Sequence, residues 1–310
     1  MTAILPTPPD SYGGRVSEVL IRPMRADDVA AAERLSSEVF LELDRRAHPR
    51  DWPEPRARSA SHAERWTART RHLVATDPAG CWAADGPDGA LVGFATSLRR
   101  DGTWCLATYV VRGDQQGSGL GRRLLDAALE HSRGCLRGML SSSTDPGAVR
   151  RYLVAGFTMH PQMLLRGPVD RGAIPPGTGE KVREGTPADT DLLESVDRAR
   201  RGSGHGPDHA FLQARCRLLV SDTTTGTGYA YVDDGQVVLL AAQNRRTAAR
   251  VLWTAVADGP EEQTIGHVTA ANAWAIDVGT ACRLTLHTSG YLALRGMDPP
   301  APYLHHGSLL

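Results

Sequence analysis

The stretch VVRGDQQGSGLGRRLLDAAL, residues 110–129, places three glycines at alternate positions directly before an amphipathic pattern. These glycines are Gly117, Gly119 and Gly121. Glycine is a poor helix former, so its use here indicates a sharp backbone turn or the close approach of another group to the backbone.

The residues on either side make this segment a strand-to-helix turn. TWCLATYVV (103–111) is rich in β-branched and aromatic residues and predicts a strand. Leu124, Leu125 and Leu129 fall on one helical face. Unpaired N–H groups at a helix N-terminus favour an anion, and a bare backbone lets phosphate oxygens approach them. With Arg122 adding positive charge, the turn predicts a phosphate site.

The spacing of the glycines excludes two common phosphate motifs. A dinucleotide fold requires GxGxxG after an early strand and an acidic residue about 20 residues later. A P-loop requires GxxxxGK[ST], and this turn contains no lysine.

The segment Gln116–Gly121 does resemble the Q/R-x-x-G-x-G/A turn of the GNAT acyltransferases. DPGAVRRYLVAGF (145–157) is similar to a second GNAT motif, NxxAxxLYxxxGF, although Asp145 replaces the usual asparagine and Arg151 the usual leucine. MLSSST before it fits the fifth strand of that fold. The resemblance covers residues 18–166.

The resemblance implies a domain that binds acetyl-CoA as cosubstrate, with no metal. It places the pantetheine arm along Val110 and Val111, with the Val111 N–H stabilising the developing oxyanion. It places the diphosphate on the turn, at Gln116, Gly117, Ser118, Gly119, Leu120, Gly121 and Arg122.

Acetyl transfer to an amine also requires a proton donor for the leaving thiolate and a proton acceptor for the amine. Tyr152 is the expected donor, because a phenol pKa of about 10 is close to that of a thiol, about 8.5. The alternative is that Tyr152 only packs its helix against the sheet.

The proton acceptor stays open, because the strand at 103–111 contains no acidic residue. Glu38 and Glu42 lie where the fold lines its acceptor pocket, although surface solvation also explains them. Glu64 is explained by a capping box with Ser61. A water chain and the Leu310 carboxylate are further alternatives, although fraying of the C-terminal tail is the stronger expectation.

The chain divides at GPVDRGAIPPGTGE (167–180), whose prolines and glycines indicate a linker. We predict a loose leader at 1–17, an acetyl-CoA-binding GNAT domain at 18–166 and a degenerate GNAT-like domain at 181–310. In the second half, Thr186 and Asp189 predict a capping box, and MLLRG (163–167) is echoed by LALRG (292–296). The fold class is α/β, with two GNAT-like units, each a mixed, largely antiparallel twisted sheet flanked by helices.

The second unit lacks the glycine turn. Aligning Gln243–Ala248 with the turn puts Arg246 and Ala248 in place of Gly119 and Gly121, where their side chains would crowd a diphosphate. Tandem chains of this kind, with a degenerate C-terminal half, are familiar among actinobacterial acetyltransferases. We expect this half to shape the acceptor site, stabilise the first half or form a homodimer contact. The segment 45–66, with Trp52, is a candidate acceptor lid or else a solvated connector.

Composition limits the partners and the compartment. Thirty-five basic residues balance 35 acidic ones, which does not favour binding to nucleic acid or anionic lipid. The chain has no apolar run that would span a membrane and no signal-peptide pattern. Its five cysteines are scattered, so we expect a reducing cytoplasm and neither a disulfide framework nor a zinc site.

We therefore predict a cytoplasmic N-acetyltransferase that moves acetyl from acetyl-CoA to a primary amine of a small molecule by direct attack. An antibiotic or a metabolite is the expected acceptor, by family analogy alone. Acetylation of a peptide or protein N-terminus is one alternative. A non-catalytic pseudoenzyme that only binds acetyl-CoA is the other.

Overall fold

The computed structural model describes residues 19–48 and 52–310, so the predicted leader lies outside the described residues. The first half contains β1 (Leu20–Pro23), α1 (Val29–Arg46), α2 (Ala60–Thr76), β2 (Cys81–Asp85), β3 (Leu91–Arg100), β4 (Thr103–Val111), α3 (Leu120–Glu130), β5 (Arg137–Ser142), α4 (Pro146–Val154) and β6 (Thr158–Pro168). The second half contains β7 (Arg183–Glu184), α5 (Thr190–Arg201), α6 (Pro207–Gln213), β8 (Arg217–Thr223), β9 (Gly226–Asp233), β10 (Gln236–Ala242), α7 (Arg245–Asp258), β11 (Glu262–Thr269), α8 (Ala273–Ala281), β12 (Thr285–Arg295) and β13 (Tyr303–Leu304).

Two twisted sheets organise these elements. The larger has eight strands in the order β1-β2-β3-β4-β5-β12-β6-β11, and the smaller has five in the order β13-β10-β9-β8-β7. Among the paired strands of the described chain, β4 and β5 are parallel and the other pairs are antiparallel. The predicted fold class, a mixed and largely antiparallel α/β architecture, is confirmed.

The final long strand of each half is exchanged between the halves. β12 pairs with β5, and β6 pairs with β11. The echoed sequences MLLRG and LALRG lie on β6 and β12, which are neighbours in the large sheet. β6 also continues to Pro168, into the predicted linker. The large sheet is therefore continuous across the predicted division, and the domain bounds remain a proposal about the chain's organisation.

Each half opens with the same polar arrangement. Arg22 donates two hydrogen bonds to Asp28, at 2.7 and 2.9 Å. Arg183 donates two to Asp189, at 2.9 and 2.5 Å. In the second half the predicted capping box is present, because the Thr186 amide also donates to Asp189, at 2.8 Å. The repetition of this arrangement six residues after each arginine supports a duplicated unit.

The cap of α2 differs from the prediction. The N-cap is Ser59, whose hydroxyl accepts a hydrogen bond from the His62 amide at 3.3 Å. Ser61 lies inside the first turn and Glu64 is exposed. The predicted Ser61–Glu64 capping box is therefore wrong, because an earlier serine already satisfies the helix terminus.

A buried ionic cluster joins the halves. Arg100 on β3 contacts Asp208 on α6 at 2.8 Å and Asp77 at 3.0 Å. His72 on α2 lies 2.7 Å from the same Asp208 carboxylate. Because a buried charge that loses its partner is costly, this cluster holds α6 against the first half.

The C-terminal tail is packed, so the expectation that it frays is wrong. Leu309 and Leu310 are fully buried. The Arg201 guanidinium lies 3.4 Å from both the Tyr303 hydroxyl and the Leu309 carbonyl oxygen. Apolar burial and a buried guanidinium thus fix the tail to the second half.

Within the described parts of the chain, no helix combines the length and the hydrophobicity needed to cross a bilayer.

Candidate active site

The separation of β4 from β5 creates the principal cleft. The two strands pair from Thr103 to Leu106 and then diverge. A cleft of about 480 Å³ lies beyond this point. Its lining residues come from the outer part of β4, α1, the glycine turn, the end of β5 and α4: Val39, Phe40, Leu43, Arg46, Leu106, Ala107, Thr108, Tyr109, Val110, Val111, Gln116, Gly117, Gly121, Ser141, Ser142, Ser143, Asp145, Gly147, Ala148, Arg151 and Tyr152.

The backbone of β4 presents a hydrogen-bond donor to this cleft. Arg112 donates its amide to Val92 of β3 at 2.8 Å. Because amides alternate sides along a strand, the Val111 N–H points away from β3, towards the cleft. The Gln116 side chain donates to the Val111 carbonyl at 3.2 Å. Val110, Val111 and Gln116 thus lie together where the sequence placed them, and their contact with a cosubstrate stays a prediction.

The N-terminus of α3 is uncapped. Its N-cap residue is Gly119, which has a left-handed φ of 87° and provides no side-chain cap. Gly117 has a φ of 82°, and a Cβ added to either glycine would meet nothing within 4 Å. These glycines therefore serve a left-handed turn beside open space, and the helix amides behind them can bind an anion. Ser118 donates its hydroxyl to the Gln115 carbonyl at 2.7 Å, and its Oγ accepts the Leu120 amide at 3.4 Å. The Leu120 side chain packs in the core.

Gly121 has a different role from the other two glycines. It lies within α3, and a Cβ there would collide with the Tyr109 hydroxyl and lie 3.2 Å from Arg151. That hydroxyl is buried and has no hydrogen-bond partner among the described residues. Burial raises the pKa of Tyr109 to about 12. A protonated, unsatisfied hydroxyl in the wall of the cleft is suited to a ligand acceptor atom.

The positively charged residues that line the cleft do not include Arg122, which the sequence predicted there. Arg122 is absent from the lining, its side chain is 84% exposed, and its Nε lies 3.6 Å from Asp126. Arg46 and Arg151 do line the cleft. Arg151, which departs from the family pattern, thus provides positive charge close to Gly121.

Tyr152 lies in the cleft wall on α4. Asp145 caps this helix by accepting the Ala148 amide at 2.8 Å, so aspartate performs the capping role of asparagine. Tyr152 is 5% exposed. Burial, and secondarily Tyr109, raises the pKa of Tyr152 above its ordinary value. The phenol therefore stays protonated and can donate a hydrogen bond, while full proton transfer is less favourable than from an ordinary phenol.

A second cavity of about 290 Å³ adjoins the cleft. The two share a wall formed by Phe40, Ala107, Thr108 and the serines at 141–143. The rest of the second cavity comes from α2 and its approach, from the exchanged strands and from the tail: Arg58, Trp66, Arg69, Gln162, His267, Ser289, Gly290, Gly307 and Ser308. We call it the acceptor cavity.

Bulges in β11 and β12 shape the acceptor cavity. The β11–β6 register shifts between Ile265 and Val268, and the β12–β6 register shifts between Thr288 and Tyr291. His267, within the first bulge, has a φ of 59°. A left-handed histidine beside a cavity is a strained feature of the kind found at functional sites.

His267 presents an unprotonated ring nitrogen. Its Nδ1 lies 3.1 Å from Gln162 Oε1, so Nδ1 is the donor and Nε2 keeps its lone pair. Burial lowers the pKa of His267 to about 4, so the ring is neutral at neutral pH. Sequence reasoning missed this residue, because it lies in the second half and reaches the site only through strand exchange.

The two residues predicted for acceptor binding lie outside both cavities. Glu38 is exposed and Glu42 pairs with Arg46 at 3.3 Å. Trp52 donates its Nε1 hydrogen to His287 Nδ1 at 3.2 Å. The prediction that Glu38 and Trp52 line the acceptor site is therefore wrong. The predicted lid, 45–66, contributes Arg58 and Trp66 instead, and its residues 49–51 lie outside the described residues.

The corresponding region of the second half is filled by the protein itself. The Gln243 amide donates to Thr227 at 2.8 Å, as Arg112 does to Val92 in the first half. Ala242 is therefore the counterpart of Val111, and its amide donates to the Pro302 carbonyl at 3.3 Å. β13 pairs with β10 directly alongside. The tail therefore covers the edge of β10 that corresponds to the open edge of β4 in the first half.

The second-half turn is shorter than the sequence alignment assumed. α7 has Asn244 as its N-cap, and the Asn244 side chain accepts the Thr247 amide at 2.9 Å. Asn244 is thus the counterpart of Gly119, and residues 113–118 have no counterpart. The predicted replacement of glycines by Arg246 and Ala248 is wrong: the loop itself is missing.

A buried polar cluster in the second half has metal-ligand chemistry. Asp197, His205 and His209 offer atoms within 4.8 Å of one another. Asp197 Oδ2 already lies 2.7 Å from His205 Nδ1 and 3.0 Å from His209 Nε2. Arg201 donates to His205 Nε2 at 2.9 Å. A guanidinium therefore balances the aspartate, and the cluster is complete as a hydrogen-bonded network.

Comparisons with known proteins agree with this geometry. Residues 38–157 match the family model described as Acetyltransferase (GNAT) family. No curated protein sequence matches the chain. A solved structure of a putative acetyltransferase from Pyrococcus horikoshii superposes with a TM-score of 0.70 at 18% identity, covering 98% of each chain.

Two further solved structures share the fold. A GCN5-related N-acetyltransferase from Kribbella flavida gives a TM-score of 0.58 at 18% identity, covering 90% of this chain and 72% of that one. Another from Sphaerobacter thermophilus gives 0.58 at 18% identity, covering 91% and 98%. The chain thus contains a region, residues 38–157 with the glycine turn, that matches the acetyltransferase family named GNAT.

Proposed function

We propose that the chain is an N-acetyltransferase that moves an acetyl group from acetyl-CoA to a primary amine of a small molecule. The observation that carries this proposal is that the two cavities meet at Ala107, Thr108 and the serines at 141–143. One cavity adjoins an uncapped helix N-terminus and the other is enclosed by both halves of the chain. A thioester held in the first is thus accessible to an amine held in the second.

The residues of the principal cleft fit acetyl-CoA. The amides at the start of α3 bind the diphosphate, and Arg151 adds positive charge beside them. The free Val111 N–H donates to the thioester carbonyl oxygen as it gains negative charge. The glycines at 117 and 119 keep side chains out of the diphosphate position.

The transfer itself needs one bond made, one bond broken and two proton movements. The amine nitrogen attacks the carbonyl carbon, and the carbon–sulfur bond breaks. His267 Nε2 accepts the proton that the nitrogen loses, and the Tyr152 hydroxyl donates to the leaving sulfur. Solvent then restores both protonation states. The second half thus contributes the proton acceptor that β4 lacks.

The size of the acceptor cavity favours a small molecule over a peptide. A volume of about 290 Å³ lies near the lower end of small-ligand sites, about 300 Å³, and the tail forms one of its walls. A peptide N-terminus would require an extended open groove. A pseudoenzyme would not require a second cavity beside the position of the thioester. A cytoplasmic location, a homodimer and action on an antibiotic stay predictions.

The experiment is a titration with acetyl-CoA followed by an assay of CoA release across amines. Binding with amine-dependent CoA release is expected. Tyr152→Phe should lower kcat by about 100-fold while CoA affinity and melting temperature stay unchanged. Acetyl-CoA binding without release for any amine would instead indicate a pseudoenzyme. Unchanged kcat in Tyr152→Phe would remove the proton-donor role.

A further inference from the structure

The acceptor cavity is positively charged on one side. Arg58 and Arg69 line it, and none of its described lining residues is acidic. Arg58 is already neutralised, because it pairs with Glu33 at 2.8 Å. Among the described residues, the guanidinium of Arg69 has no such partner.

Arg69 is an unpaired cation in a partly closed space. Its Nε is buried without a hydrogen-bond partner, and it forms no ion pair with any residue that the structure describes. Burial, and then the neighbouring Arg58, lowers the pKa of Arg69 to about 10. An uncompensated guanidinium is costly to the folded protein, which is the arrangement expected when a ligand supplies the missing anion.

We propose that the acceptor amine also carries an anionic group, a carboxylate or a phosphate, which binds Arg69. This inference rests on the proposed function and names the substrate class for the same site. The anion satisfies Arg69 through charge-assisted hydrogen bonds, while the amine faces His267 and the residues that line both cavities. The same charge repels polycationic amines, so the cavity discriminates by repulsion as well as attraction.

The first test measures anion binding without turnover. Inorganic phosphate and malonate are titrated by calorimetry into protein saturated with CoA, which blocks the anion site of α3. One bound anion per chain is expected, with affinity at least about tenfold weaker in Arg69→Met and largely kept in Arg69→Lys. Arg71→Met is the matched control, because Arg71 is exposed on the same helix and should leave affinity unchanged.

The result that would overturn the proposal is equal anion affinity in wild type and Arg69→Met, or no binding of either anion to wild type. If Arg69→Met does not fold, Arg69→Gln takes its place: the same weakened affinity is expected, and affinity equal to that of wild type overturns the proposal. Arg69→Met should in fact melt at a higher temperature than wild type without ligand, because it removes an unpaired charge.

The second test compares matched acceptors. Amino acids are assayed against their amides, phosphoethanolamine against ethanolamine, and spermidine is included as a polycation. The anionic member of a pair should have a kcat/KM at least about tenfold higher, and Arg69→Met should bring that ratio towards one. Preference for neutral amines or for spermidine would overturn the inference. Failure of the proposed function would show separately, as absence of acetyl-CoA binding or of CoA release.

Discussion

The two strand-to-helix turns of this protein differ in which groups accept hydrogen bonds from their backbone amides. After β4, the turn leads through Gly117 and Gly119 to a helix without a side-chain cap. After β10, Asn244 caps the next helix directly. The open amide beside the first turn belongs to Val111, and its counterpart in the second half, Ala242, donates to Pro302 of the tail.

From this difference we infer that a GNAT-like strand and helix can offer a ligand site only where the chain leaves backbone donors unused. In the first half the Val111 amide has no partner among the described residues, and the left-handed glycines keep the approach to the start of α3 open. The Leu120 amide there donates to Ser118 Oγ at 3.4 Å. In the second half a side chain and the chain's own tail have taken the equivalent positions. The tail then continues to Gly307 and Ser308, which line the acceptor cavity. The segment that covers β10 in the second half thus also forms part of the acceptor cavity.

The largest expected effect comes from loosening the tail. Arg201→Met removes the guanidinium that contacts His205 and the tail, so the buried Asp197 loses its nearby cation and keeps only its hydrogen bonds. We expect the free energy of unfolding to fall by about 3–5 kcal/mol, measured by chemical denaturation.

The control for this change is Arg133→Met, whose parent side chain is 80% exposed and should cost at most about 1 kcal/mol. In folded Arg201→Met, acetyl-CoA should still bind once per chain. A second bound acetyl-CoA would mean that the tail alone, and not the missing loop, closes the second half.

The second effect concerns the open turn itself. Gly119→Arg places a side chain at a left-handed position that glycine favours and in the space assigned to the diphosphate. Affinity for acetyl-CoA should fall at least about 100-fold, about 2.7 kcal/mol, by calorimetry. Asn244→Arg, the same side chain at the counterpart position, should leave that affinity unchanged. Normal binding by Gly119→Arg would refute the assigned site.

The stability of the protein should fall in mild acid, because histidines buried in and beside the tail become protonated. The pKa of His267 is lowered by burial from 6.5 to about 4, and burial also lowers the pKa values of His305 and His306. The unfolded chain therefore takes up protons first, so stability falls as pH decreases from 6.5 towards 4. His267 alone contributes a loss of about 2 kcal/mol at pH 5.

The measurement is melting temperature against pH. His267→Asn, in which asparagine tolerates the left-handed backbone, should flatten the profile in this window. A profile that is identical in wild type and His267→Asn would show that this histidine does not titrate as described.

The smallest effect tests the closed turn. Asn244→Ala removes the acceptor of the Thr247 amide and should lower the free energy of unfolding by about 1 kcal/mol, by denaturant titration. Acetyl-CoA binding should not change. A gain of binding at α7 would show that the cap, rather than the absent loop, prevents it.

Local chemistry made much of the first site predictable. The predicted strand at 103–111 matches β4. Glycine spacing located the open helix terminus, because left-handed turns demand glycine. Tyr152 was predicted from a motif on one helix, and it does line the cleft.

The rest depends on contacts distant in sequence. His267 lines the acceptor cavity together with Thr108 only because β11 and β6 pair. The second turn could not be aligned correctly with the first from sequence alone, because residues 113–118 have no counterpart in the second half. Glu38 and Trp52 had plausible chemistry, but the orientation of their side chains depends on how α1 and β12 pack.

A crystal structure of the protein with acetyl-CoA tests the central claim most directly. The account predicts one molecule per chain, with its diphosphate on the amides that begin α3 and its thioester beside Val111 and Tyr152. Acetyl-CoA bound along β10 with the tail displaced, or bound away from the Gly117–Gly121 turn, would contradict it.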